Sequence, residues 1–281
     1  MQSINNVLII DFNEVTKHDK VNIDILTANT VNTWQPGRSI AEKHRDTELG
    51  KFAEDCVISA LDILNIENYH SYDSFRKDNY GMHAPFDGLL TNHLNGPLID
   101  LIHNAVKEET SKLSAATRDR IRNMNALTVE IKSTRLAQKY KDRAGFRTYQ
   151  DRTQIARLAD SLKGLDFLTY PFFIRQGNFS FFEYCLYVNK YFLHTDLKGA
   201  SLAEYVKNIE LGNACDIYMR VFVDEVEKKA LIMGFTDRFS FFRYPATHKL
   251  VLPGKSENAL YFVKKLRDAR PLTELQHVLK N

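Results

Sequence analysis

Cysteine is scarce. Cys56, Cys185 and Cys215 are the three cysteines in 281 residues, odd in number and far apart. No CxxC pair and no Cys/His cluster occurs, which argues against a structural zinc site and a disulfide framework and suits a reducing cytoplasm, bacterial or phage-infected. The N-terminus lacks the basic and apolar regions of a signal peptide, and no apolar run reaches the length of a membrane span, so no membrane partner is expected. No glycine-rich phosphate loop is present, so no nucleotide-driven motor is expected, and no G-x-S-x-G argues for an α/β-hydrolase. No histidine pair has zincin spacing; His44, His70, His83 and His93 read as ordinary polar residues, with His83 near enough to Asp87 in sequence for a supporting contact. A strong excess of one charge is missing too. Lys and Arg number 38 against 35 Asp and Glu, a net charge of +3, which permits a nucleic-acid partner without arguing for one.

What is present centres on Leu127-Thr128-Val129-Glu130-Ile131-Lys132-Ser133-Thr134. Leu127, Val129 and Ile131 point one way on an extended chain, and Thr128, Glu130 and Lys132 the other. This is the pattern of a half-buried strand. Its polar face sets a carboxylate beside an amine. The first can hold a divalent cation, and the second can steer or deprotonate a water.

Around that strand the pattern predicts short strands at 7–10 and 23–26, and a turn at 34–37. Ser39 or Asp46 is placed to cap the clearest helix, whose stripe runs Leu49, Phe52, Ala53, Cys56, Val57, Ala60, Leu61 and Leu64. Glu54 borders that stripe and, taken alone, reads as a boundary carboxylate with its head in water; Glu48 is the alternative helix acid. Residues 68–95 read as a strand, a turn and a hairpin, in which Asp87 before Gly88 reads, alone, as a turn aspartate. Residues 97–125 read as helical. A basic tract follows the central strand, with Arg135, Lys139, Lys141, Arg143, Arg147, Arg152 and Arg157 interleaved with Tyr140, Phe146 and Tyr149. It is either a solvated face or a phosphate-tracking surface, and its position next to Lys132 favours the second. A helix from 149 carries Gln150 and Gln154. Farther on, strands are predicted at 167–174, 181–188, 217–224 and 230–235, with a hairpin-like turn at 176–178. A helix is predicted at 201–209, a loop or edge strand at 245–253 and closing helices at 256–279. No linker separates the halves, so one elaborated α/β domain over 1–281 is expected.

The order of a helix acid (Glu54), an acid after proline (Pro85-Phe86-Asp87) and then Glu130-Ile131-Lys132 resembles the PD-(D/E)xK nuclease superfamily, the restriction-endonuclease-like fold. Leu49-Gly50-Lys51-Phe52-Ala53-Glu54 looks like its first helix. The Pro-Asp element carries one inserted residue, and the acid-x-lysine element matches without change. Gln150 or Gln154 resembles a polar position on the following helix. The likeness spans residues 45–190.

It implies a central mixed β-sheet flanked by helices, with a nuclease-like core at 41–190 and C-terminal strands and helices of unassigned role at 191–281. It implies Mg²⁺, with Mn²⁺ as a substitute, held by Asp87, Glu130 and the Ile131 carbonyl. Glu54 would bind a second ion or the waters of the first, and Lys132 would orient the attacking water. The expected activity is DNA phosphodiester hydrolysis leaving 5′-phosphate and 3′-hydroxyl, of restriction, phage or mobile-element type. Arg135, Lys139, Lys141, Arg143, Arg147, Gln150, Arg152 and Gln154 are the expected DNA contacts. A homodimer is an open alternative, as are a DNA-holding subunit of a transposase or packaging complex and an RNA endonuclease.

Overall fold

The computed structural model describes residues 1–16, 23–29, 39–109, 113–148, 151–168, 172–174, 180–243, 247–251 and 258–280. Strands β1 (Gln2–Ile4) and β2 (Val7–Asp11) precede helices α1 (Ile23–Asn29) and α2 (Ile40–Ile63). Then come β3 (Tyr69–Ser71), α3 (Tyr72–Phe75), β4 (Gly88–Thr91), α4 (Gly96–Glu108), α5 (Ala115–Asn123) and the long β5 (Ala126–Arg135). The chain continues through α6 (Gln138–Arg143), α7 (Arg152–Lys163), β6 (Asp166–Leu168), β7 (Phe172–Ile174), α8 (Phe181–Val188) and α9 (Gly199–Asn213). It ends with β8 (Ile217–Asp224), β9 (Lys229–Asp237), α10 (Arg238–Phe242), β10 (Thr247–Val251) and β11 (Asn258–Lys265).

Seven strands form a mixed sheet in the order β1-β2-β9-β8-β5-β4-β3. β5 pairs antiparallel with β4 and parallel with β8. A parallel neighbour needs a long crossover, and residues 136–216 supply it. Odd positions of β5, Val129 and Ile131, pack with Leu90, Ile217, Met219 and the α2 residues Ala53, Cys56, Val57 and Ala60. Ala126 packs the other way, with Leu89, Tyr218, Phe222 and residues of α4, α5, α7 and α9. Both faces of the sheet are therefore covered, and even Thr128, on the polar side of β5, is buried. A second sheet, β10-β11-β6 with β7 also on β11, packs on this latter side through Phe262, whose ring centroid lies 4.7 Å from that of Phe242. The mixed central sheet flanked by helices is as expected. No helix among the described residues is long and apolar enough to cross a membrane.

Of the two candidate caps, Ser39 is used. Its side chain accepts from Glu42 N at 3.2 Å while Glu42 Oε2 accepts from Ser39 N at 2.8 Å, a capping box that starts the 24-residue α2. Several local expectations fail. Residues 23–26 begin a helix, not a strand. The aromatic run at 181–188 is helix α8, because Ser180 and Glu183 form a second capping box and short apolar runs do not declare their period. Residues 256–279 hold β11 and then 3₁₀ turns at Leu266–Asp268 and Leu272–Lys280 instead of closing α-helices. β3 and β4 do pair antiparallel, but α3 and a long loop separate them in place of a tight hairpin. The turns expected at 34–37 and 176–178 lie outside the described residues.

Candidate active site

The register of the sheet builds the site. Gly88 is the last β4 residue paired with β5, opposite Val129, so the residues just beyond, Asp87 and Glu130, come side by side. Gly88 is required here because a Cβ would collide with the Tyr69 phenol. Asp87 is held on three sides: its N–H donates to Val129 O at 2.9 Å, its carbonyl accepts from Tyr72 N at 2.9 Å, and its Oδ2 accepts from Ile131 N at 2.5 Å. It bridges strands and does not cap its own turn. A strand residue presents its N–H and C=O to the same side. The Ile131 carbonyl therefore also faces the Asp87 side, past the end of the β4 ladder.

Charge separates the two acids. Burial, and then the neighbouring Glu130 charge, push the Asp87 carboxyl up to about 7. Burial acts on Glu130 in the same direction, but the Lys132 ammonium, ion-paired with Glu130 Oε1, outweighs it. With His83 and Arg118 nearby, Glu130 stays below the usual carboxylate range. Burial opposes the Lys132 charge as well, yet Glu130 and Asp87 hold its ammonium above the ordinary lysine range. Lys132 is therefore a stable cation that can steer a water but not deprotonate one.

A polar layer supports Glu130 from below. Cys215 Sγ lies 3.8 Å from Glu130 Oε2 and 3.5 Å from Arg118 Nη1. Burial pushes the Cys215 thiol up to about 12, so it remains a donor. Arg118 Nη1 also reaches Thr128 Oγ1 at 3.2 Å. Asp216 accepts from Thr128 N and Oγ1, both at 2.9 Å, and from Arg122 Nε at 2.7 Å.

Glu54 belongs to the opposite layer. It is buried, on the α2 side of the sheet, 2.8 Å from Lys51 Nζ, which also lies 2.8 Å from Asp73 Oδ2; Asp73 in turn binds Arg76. It is thus not a boundary carboxylate with its head in water. Burial raises Glu54 well above the usual range, and Asp87 and Asp73 add to that against Lys51. The buried Tyr69 hydroxyl, beside the same three acids, has no hydrogen-bond partner among the described residues. Glu48 instead lies near the surface, 3.5 Å from His44. Glu130 and Lys132 are in contact, Asp87 lies within their field and bonds Ile131 N between them, and Glu54 is reached only through the field of Asp87.

The basic tract divides. Lys141 is buried, 2.7 Å from the equally buried Asp224, whose Oδ1 accepts from Val226 N and Glu227 N. It ties α6 to the β8–β9 turn and presents no surface to DNA. Arg135 is already occupied by Asp46, Glu225 and the Arg45 carbonyl. Lys139, Arg143, Arg147 and Arg152 are exposed. Lys139 and Arg143 flank the Tyr140 ring, which packs on Phe222. Gln154 is half-buried near the start of α7, and Gln150 lies outside the described residues. Lys51, Asp73, Cys215 and Arg220 went unread in the sequence. Lys51 had a signal, three residues before Glu54 on a helix; the others are placed by tertiary register alone.

Among the described residues no group of three or more His, Cys, Asp or Glu side chains closes into a metal cage. Two carboxylates and a carbonyl, with water and substrate completing the shell, are nevertheless the donors Mg²⁺ takes. The Asp87 carboxyl, unsettled by Glu130, is a group a cation would relieve. No family model, curated protein or solved structure matches the chain.

Proposed function

We propose that this chain is a Mg²⁺-dependent nuclease that hydrolyses DNA phosphodiester bonds, built on a restriction-endonuclease-like core. The observation that carries the reading is Asp87 at the end of the β4–β5 ladder, its Oδ2 fixed by Ile131 N and its carboxyl in the field of Glu130. Asp87, Glu130 and the Ile131 carbonyl would hold the ion, and Mn²⁺ has the same preference for these oxygens. When bound, the ion supplies a hydroxide at neutral pH and neutralises charge on the phosphate.

The protein's own part is positional. Glu130 stays ionised and keeps the Lys132 ammonium in place. That ammonium orients the attacking water and meets charge as it develops on the phosphate oxygens. Glu54 accepts from Lys51 Nζ in the opposite layer and stands apart from the proposed ion ligands. Lys139, Arg143, Arg147 and Arg152 would track the backbone next to the site. Products with 5′-phosphate and 3′-hydroxyl follow from the resemblance.

Purified protein with Mg²⁺ or Mn²⁺ is expected to nick supercoiled plasmid, and Asp87→Ala or Lys132→Ala to abolish nicking. Variants that cut as well as the parent would remove both residues from the mechanism. Running single-stranded DNA and RNA in the same assay separates the DNA reading from an RNA nuclease, and binding without cutting points to a DNA-holding subunit.

A further inference from the structure

Most of the part-buried arginines here are ion-paired, and the deeply buried Arg118, bonded to Thr128 and Cys215, lies in the field of Asp216. Asp73 and Asp78 hold Arg76, Asp119 and Asp216 hold Arg122, and Asp46 and Glu225 hold Arg135. Arg220 has no carboxylate partner among the described residues. Its Nη2 donates to Thr134 Oγ1 at 2.5 Å, its Cζ lies 5.4 Å from the Phe222 ring centroid, and its Nε is buried without a partner among the described residues.

The backbone aims this side chain. β5 and β8 run parallel with Arg220 beside Lys132, strands about 4.8 Å apart. Met219 and Val221 pack on the α2 side, so Arg220 faces the Glu130–Lys132 side. The register of β8 on β9 slips between Met219 and Val221, where Met233 and Gly234 together oppose Arg220. Gly234 makes that bulge, with φ +90° and no room for a Cβ against the Arg270 carbonyl. Bulges re-aim side chains beside functional sites. Tyr261 of β11 lies near enough to Lys132 and Arg220 for both charges to act on its phenol.

We propose that Arg220 binds a backbone phosphate of the substrate beside Lys132, a role that rests on the nuclease reading. A guanidinium desolvated without a countercharge is costly, and an incoming phosphate supplies the missing anion in the geometry arginine suits best. Burial without an acid lowers the Arg220 pKa to about 10, which leaves it cationic at neutral pH. The C-terminal part of the chain thereby gains a part in the site, since β8 brings the phosphate ligand and β11 walls it.

The test measures binding separately from cutting. A fluorescein-labelled duplex oligonucleotide and, in a second arm, inorganic phosphate are titrated into the whole protein with Ca²⁺ in place of Mg²⁺. Arg220→Gln is expected to weaken duplex binding roughly 10- to 100-fold, with Arg220→Lys between it and the parent. Phosphate should raise the Tm of the parent but not of Arg220→Gln. The parent and Arg220→Gln should unfold at similar temperatures, because the lost charge had no partner. If Arg220→Gln does not fold, Arg220→Lys carries the test, with Kd and KM raised several-fold and kcat kept. An unchanged Kd in the variants, or no binding of either probe by the parent, overturns the assignment. A parent that binds through Arg220 yet never nicks plasmid sinks the nuclease reading and leaves the anion site standing.

Discussion

Two lysine–glutamate pairs lie on opposite faces of the same sheet and end in opposite states. On one face Lys132 holds Glu130 below the usual carboxylate range; on the other, Glu54 stays well above it although Lys51 is only 2.8 Å away. Burial pushes both acids the same way, so the balance of nearby charge decides. Lys132 serves Glu130 with Arg118 adding positive charge, whereas Lys51 is shared with Asp73 and Glu54 also faces Asp87. An acid–lysine contact therefore does not by itself lower a carboxylate pKa. The surplus of acids on one side raises Glu54, while Glu130 is ready as a ligand.

Breaking the comparison outright means removing the charge that only one pair uses. Glu130→Gln is expected to lower plasmid nicking by roughly 10²–10³-fold, whereas Glu54→Gln, which keeps an acceptor for Lys51, should cost on the order of 10-fold. Equal losses in single-turnover nicking would show that the two faces act as one carboxylate set.

The basic tract carries a similar contrast, between the buried, paired Lys141 and the exposed Arg143 and Arg147. Lys141→Met strands Asp224 in the interior and should lower stability in urea unfolding by about 3–5 kcal/mol, while leaving the salt dependence of DNA binding alone. Arg143→Gln or Arg147→Gln should leave stability unchanged and flatten the slope of log Kd against log salt by roughly 0.9 each. A slope that moves with Lys141 and not with Arg143 would invert the division.

Asp87 sharpens the comparison through pH. Its folded value of about 7 lies above the roughly 3.9 of an unfolded aspartate. Between those values the native chain keeps a proton that the unfolded chain has lost. The Asp87 contribution to stability therefore falls as pH rises from about 4 to 7 and is level above that. Cation binding runs the other way, because it needs the ionised form, so apparent Mg²⁺ affinity should climb through about pH 7. Asp87→Asn should raise stability at pH 8 by on the order of 1–3 kcal/mol and remove the Mg²⁺-induced rise in Tm. Thermal unfolding with and without Mg²⁺ across this range reads both, and a pH profile for Asp87→Asn parallel to the parent's would return Asp87 to a purely structural role.

The chain's local patterns determined a good deal alone. Alternation from Leu127 to Lys132 puts Glu130 and Lys132 on one face of a strand, because strand side chains repeat every two residues, and the stripe from Leu49 to Leu64 sets the α2 face that packs on the sheet. Where the apolar pattern was ambiguous, a local capping box made the aromatic run helix α8, whereas β11 takes its strand form from pairing with β10, β6 and β7. Only the tertiary structure decided that Asp87 lies beside Glu130, that Glu54 stands on the far side of the sheet, that Lys141 is interior and that Arg220 neighbours Lys132. Parity along a strand is written in adjacent residues. Which residues meet across strands depends on register, on a bulge at Gly234 and on a crossover of some eighty residues, none of which leaves a periodic mark in the sequence.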